Sequence, residues 1–157
     1  MQPTVVELAQ QENNKMYILS QIFVVISGIL FAISYIIKKK GLILLVNVFN
    51  NLFFATHFLL LKSFTAAYSV FLVGFFLVSV YFLEKYKKEK FLPILLIATL
   101  PILCFISFFT WQGAISLMPI FANLSTLIGT IIKNPLIVKF FYLTATTSNT
   151  IFMFIIH

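Results

Sequence analysis

The chain has no arginine and no aspartate, only four glutamates, and a single cysteine among its 157 residues. Charged residues make up 10% of it, against about 25% in soluble domains. Each shortage excludes something. Without arginine there is no planar fork for bidentate contact with base edges or phosphates, so the net charge of +7 does not point to nucleic acid. Cys104 stands alone in an apolar run, which rules out an intrachain disulfide or a zinc cluster and reads as a small packing residue. No carboxylate falls inside a long apolar run, and such carboxylates are common parts of proton relays and ion-coupling sites. Nucleophile–base pairs, metal-ligand clusters and phosphate-cradling glycine loops are missing as well. The sequence therefore points away from an enzyme, and no cofactor or metal is expected.

What is abundant is apolar surface. Hydrophobic residues reach 61% and the mean hydropathy is +1.06. A soluble globule of this length could not bury that content, whereas a bilayer accepts apolar side chains on the outside. A spanning helix needs about 20 mostly apolar residues, and six runs qualify: Met16–Ile37, Leu42–Leu61, Phe64–Leu83, Phe91–Phe109, Ala114–Ile132 and Leu136–Ile156. Each is continuous, where barrel strands would be half as long and alternate polar with apolar. A helix also pairs its backbone groups within the segment, as hydrocarbon requires. The expected fold is an all-α polytopic bundle, with a transmembrane domain over residues 16–157. Residues 1–15, with Glu7, Glu12 and Lys15 and no cleavable signal pattern, read as an extramembrane tail or a short interfacial helix. Pro101 is expected to kink the fourth helix and Pro119 to bend the start of the fifth. Trp111 reads as an interfacial anchor, and Gly113 and Gly129 as turn or packing residues.

The lysines orient the helices. Lys38, Lys39, Lys40, Lys85, Lys87, Lys88, Lys90, Lys133 and Lys139 lie at the odd-numbered turns, and Lys15 and Lys62 at the other side. By the positive-inside bias the lysine-rich side is cytoplasmic, so both termini are expected outside. The same loops would face anionic lipid headgroups, the bilayer itself being the first partner.

A shift of the chain by 95 positions sets Ile36-Ile37-Lys38 on Ile131-Ile132-Lys133, Asn51 on Thr146 and Phe54 on Asn149. This suggests two parallel repeats, a first unit over 16–83 and a second over 114–156, joined by an inverting linker helix over 91–109. In that plan the last helix of the second unit is absent.

Polar residues inside the spans need partners. Asn47, Asn50, Asn51 and His57 share one face of the second helix, within about 100° for the asparagines. Asn123, Thr126 and Thr130 form a stripe on the fifth. Thr144, Thr146, Thr147, Ser148, Asn149 and Thr150 wrap much of the sixth. They either line a mid-membrane cavity for an uncharged polar solute, which amides and hydroxyls suit as donors and acceptors, or join helices at about 0.6 kcal/mol per bond. The second account is the simpler one for the hydroxyls and for His57 as an interhelical donor; the asparagines leave both open. The candidate cavity set is Asn47, Asn50, Asn51, His57, Asn123, Thr126, Thr130 and Asn149.

Gly28-Ile29-Leu30-Phe31-Ala32, the lysines that follow, His57-Phe58-Leu59-Leu60-Leu61 with Ala66-Ala67, and then Trp111-Gln112-Gly113 with Met118-Pro119 resemble the YgjV-type bacterial inner-membrane proteins over roughly Gln21 to Phe154. The resemblance implies a multi-span inner-membrane protein with helical repeats like those of SWEET or PQ-loop carriers, and it supplies no catalytic residues. The chain departs from the family pattern at Lys62, where glycine is usual, at Met118, where leucine is usual, and in stopping before the family's last helix. Two functions follow as expectations. One is a small transporter or facilitator of an uncharged or polar solute, working alone or as a homo-oligomer. The other is a structural or interaction subunit of a membrane assembly that moves nothing.

Overall fold

The computed structural model describes residues 5–156 other than Gln112; residues 1–4 of the expected tail, Gln112 of the Trp111-Gln112-Gly113 motif and His157 lie outside the described residues. Six α-helices follow one another: α1 (Val5–Ile36), α2 (Lys40–Leu60), α3 (Phe64–Lys85), α4 (Leu92–Phe109), α5 (Leu117–Ile131) and α6 (Pro135–Ile156). Short 3₁₀ turns, Glu89–Phe91 and Ala114–Ser116, lead into α4 and α5. Five of the helices combine the length and apolar character of a membrane span. The last, α6, is 22 residues long and carries its threonines, serine and asparagine in mid-helix.

Two details differ from expectation at the helix ends. Residues 5–15 do not form a separate element but continue into α1, which is 32 residues long. No proline or glycine stands between Val5 and Met16 to stop the helix. Pro119 is the third residue of α5, which starts at Leu117; its missing N–H would have had no helical partner there. Pro101, by contrast, lies inside an unbroken α4.

Helix α3 is the centre of the bundle, packing against α2, α4 and α5, while α1 lies against α2 and α6 against α5. Its small residues Ala66, Ala67 and Ser69 are fully buried, which lets neighbouring backbones approach closely, as packing in hydrocarbon favours. The main core joins Ile43 and Leu44 of α2 to Val73, Phe76, Leu77 and Val80 of α3, Leu103 of α4, Leu127 of α5 and Val138 of α6. A second cluster at the other end sets Phe58 edge-on to Phe152 at 5.8 Å. The Thr65 hydroxyl donates to the carbonyl of Thr110, tying the end of α4 to the start of α3. The outward faces are apolar, with Ile36, Phe75, Phe108 and Phe154 all more than two-thirds exposed. Cys104 is exposed too, so it packs in no core; α4 turns it outward with Phe105 and Phe108.

Ion pairs gather the odd-numbered turns at one end. Lys40 meets Glu84 at 2.5 Å and Lys133 meets Glu89 at 3.0 Å, linking the connections after α1, α3 and α5. The turns after α2 and α3 share a different device. Each closes with paired hydrogen bonds, Ser63 N–H to Phe58 O and Lys62 N–H to Leu59 O in one, Lys88 N–H to Leu83 O and Lys87 N–H to Glu84 O in the other. This is the Schellman pattern, whose pivot residue takes a left-handed backbone. Here the pivots are lysines, Lys62 at φ +59° and Lys87 at φ +57°, where glycine carries no steric penalty. Lys62→Gly is expected to raise stability by up to about 1 kcal/mol, relief of left-handed strain being partly offset by the freer unfolded chain. The check is thermal unfolding in detergent, where the variant should melt higher than the parent.

A polar cavity between two helix pairs

A cavity of about 450 Å³ lies between the α1–α2 pair and the α5–α6 pair. Asn47, Asn50, Asn51, Asn123, Thr126 and Asn149 all line it, so six of the eight residues singled out in the sequence meet at one place. Among the described residues its lining includes no lysine, glutamate or histidine.

The asparagines are held in different ways. Asn47 Nδ2 donates to Ile43 O at 2.8 Å and Asn51 Nδ2 to Asn47 O at 2.7 Å, both within α2. Asn50 Oδ1 accepts from the Ser27 hydroxyl at 2.5 Å, joining α1 to α2. In each case one half of the amide is engaged and its remaining capacity is left for something else. Across the cavity, Asn123 and Asn149 are 2% and 7% exposed, yet Asn123 Nδ2 and Asn149 Oδ1 have no hydrogen-bond partner among the described residues. A buried amide group left unpaired costs about 1–3 kcal/mol.

The other two candidates lie outside the cavity. His57 has the azimuth of Asn50, but α1 packs over α2 at its level; its Nδ1 is 2.9 Å from Ser20 O and its ring stacks on Phe54. That is the interhelical contact expected of it. Thr130 is buried one turn deeper than Thr126, donating to Thr126 O at 2.7 Å and lying 3.0 Å from the Tyr142 hydroxyl.

The contribution of α1 was not anticipated. Tyr17, Gln21, Ser27, Gly28 and Phe31 line the cavity. A signal was present: Ser20, Ser27 and Ser34 recur every seven residues, and all three are buried, marking the stripe that α1 turns inward. On α6, Tyr142, Thr146 and Thr150 join Asn149 in the lining, while the Ser148 hydroxyl is spent on Met118 O at 3.0 Å.

The two ends of the cavity are unlike. At the lysine-poor end it reaches Tyr17 and Phe154, both exposed. Towards the lysine-rich end it stops near Phe31, Asn47 and Tyr142. Asn47 and Tyr142 are each seven residues inside their helix starts, or about 10 Å at 1.5 Å per residue. Beyond that floor α1 and α6 are clasped reciprocally. The Tyr35 hydroxyl donates to Lys139 O at 2.9 Å, and the Lys139 ammonium donates to Tyr35 O at 2.5 Å.

Residues 18–157 match the family of bacterial inner membrane proteins designated Imp-YgjV. The chain belongs to that family. Membership places this Imp-YgjV protein in the bacterial inner membrane as a multi-span protein, and it takes in every residue of the cavity lining except Tyr17. Comparison with curated proteins and with solved structures finds no match.

Proposed function

We propose that this Imp-YgjV protein is a facilitator for an uncharged polar solute, which it receives in the cavity between α1–α2 and α5–α6. The single observation that carries this is the cavity's lining: amides and hydroxyls from four helices on otherwise apolar walls, with no charged side chain among the described residues. Ligand sites have this composition, a mainly apolar enclosure with a few placed polar groups. A neutral solute with several donors and acceptors would suit the amides and hydroxyls of that lining. An anion or a metal cation would find no counter-charge there.

In this reading α6 is the sixth span, its polar residues tolerated because Thr146, Asn149 and Thr150 face the cavity. The lysine-rich end is cytoplasmic and the N-terminus lies outside. The cavity then opens outward and is shut inward by the Tyr35–Lys139 clasp. Release to the cytoplasm needs that clasp to part while the outer ends of α1 and α6 close. The protein performs no covalent chemistry. The α1–α2 and α5–α6 pairs are related as parallel halves about the cavity.

The test is uptake into proteoliposomes from a panel of labelled neutral polyols, sugars and amides beside charged analogues of similar size. Saturable uptake confined to neutral members is expected. If no member of either set crosses and a stoichiometric membrane partner co-purifies, the structural-subunit role takes its place.

A further inference from the structure

A second concavity, separate from the polar cavity, opens on the outer face between the end of α3 and the start of α4. It encloses about 520 Å³ and is walled by Phe82, Leu83, Tyr86, Phe91, Ile94 and Ala98, with Lys88 at its mouth. Phe82, Tyr86, Phe91 and Ile94 are each more than two-fifths exposed, so the groove faces lipid along its length. Ala98 lies six residues into α4, which carries the groove about 9 Å below the loop.

Charge at the mouth is one-sided for a structural reason. The connecting segment holds Glu84 and Glu89 beside Lys85, Lys87, Lys88 and Lys90. Both carboxylates are engaged by lysines from other connections, Glu84 by Lys40 and Glu89 by Lys133. Among the described residues the four local lysines have no acidic partner, and Lys90 is held with its ammonium 5.3 Å from the centre of the Phe91 ring, itself part of the groove wall. An apolar trough thus ends, at the depth where headgroups lie, in unneutralised ammonium groups and a tyrosine hydroxyl. Basic pockets between helices on the cytoplasmic side suit anionic headgroups.

We propose that this groove is a binding site for one anionic phospholipid of the lysine-side leaflet, its phosphate held by Lys88 and Lys90 and an acyl chain laid along Phe82, Ile94 and Ala98. The site needs both halves: zwitterionic lipid lacks the net charge, and free phosphate lacks the chain. It does not depend on solute transport.

The experiment is native mass spectrometry of the full chain released from detergent after incubation with equimolar phosphatidylglycerol and phosphatidylcholine. One retained phosphatidylglycerol is expected. K88Q/K90Q should lower its preference over phosphatidylcholine about fivefold per lysine, the ratio that ~1 kcal/mol per surface lysine corresponds to. K38Q/K39Q removes the same charge from the first connection and should leave the preference intact. Ala98→Phe, which fills the groove with every lysine in place, should abolish retention, and Ala98→Leu serves if the phenylalanine variant does not elute as a single species. Glycerol 3-phosphate in excess should not displace the lipid. The proposal is overturned if the two double variants lose preference equally, if filling the groove changes nothing, or if glycerol 3-phosphate competes.

Discussion

Gly129→Leu is expected to prevent recovery of a monodisperse protein, and Gly129→Ala to lower its melting temperature clearly. A Cβ at position 129 would lie 2.5 Å from Phe141 Cβ and 3.1 Å from its Cγ. Phe141 Cβ is fixed to the α6 backbone, so no rotamer change moves it away; the two helices have to separate. Overpacking of this kind costs typically about 1–3 kcal/mol for one added carbon group. The penalty is felt in full here, because helices in lipid are held by close packing and gain no hydrophobic energy by repacking elsewhere. The pair at stake is α5–α6, which forms one wall of the polar cavity. Gly28→Ala is the matched control. It adds the same methyl group in open space, with nothing within 4 Å, and removing a helical glycine there should stabilise by about 0.5–1 kcal/mol. Opposite shifts in thermal unfolding are expected, and equal shifts would sink the close-packing account of Gly129.

Asn123→Leu is expected to divide stability from activity. The side chain is nearly isosteric and buried, and Nδ2 has no partner among the described residues. Replacing an unsatisfied amide by an apolar group of similar shape should raise stability, on the order of 1 kcal/mol, by removing a desolvation penalty. The same amide is one of the few polar groups on the α5 side of the cavity. A site built to hydrogen-bond a solute loses discrimination when one of those groups is deleted, and a single bond of about 1–3 kcal/mol corresponds to roughly 5- to 150-fold in the rate at low solute concentration. Thermal unfolding should rise while uptake falls. A variant that is more stable and equally active would remove Asn123 from the solute site. Loss of both would make it a structural contact.

Much of the architecture was legible from the amino-acid order because hydrocarbon imposes local rules. Backbone groups must pair within their own helix, so the length of each apolar run marks an element, and α2 to α6 begin and end within about three residues of the runs read from the sequence. Lys62 takes a left-handed backbone at the turn after α2, a conformation that glycine adopts without penalty. Helix α1 shows the limit. Its extension back to Val5 was hidden because residues 10–15 are all polar, and length in a polar stretch carries no hydropathy signal.

The membership of the polar cavity could be read only in part. A helical wheel gives azimuth, and Asn47, Asn50 and Asn51 of α2 line one cavity with Asn123 and Thr126 of α5. It gives neither the neighbour at each height nor the tilt between helices. His57 and Asn50 share an azimuth, yet one is covered by α1 and the other meets the cavity. Thr126 and Thr130 share a stripe, yet the second lies beneath the floor, against the Tyr142 hydroxyl. The amino-acid order alone thus determined a membrane-embedded helical chain, the boundaries of α2 to α6 and the end where its lysines gather, since these follow from solvent and from neighbours along the chain. The tertiary arrangement decided which polar groups meet, which are left unpaired, where the cavity is closed and why Gly129 admits no side chain. Those depend on distances between helices far apart in sequence, which no local pattern encodes.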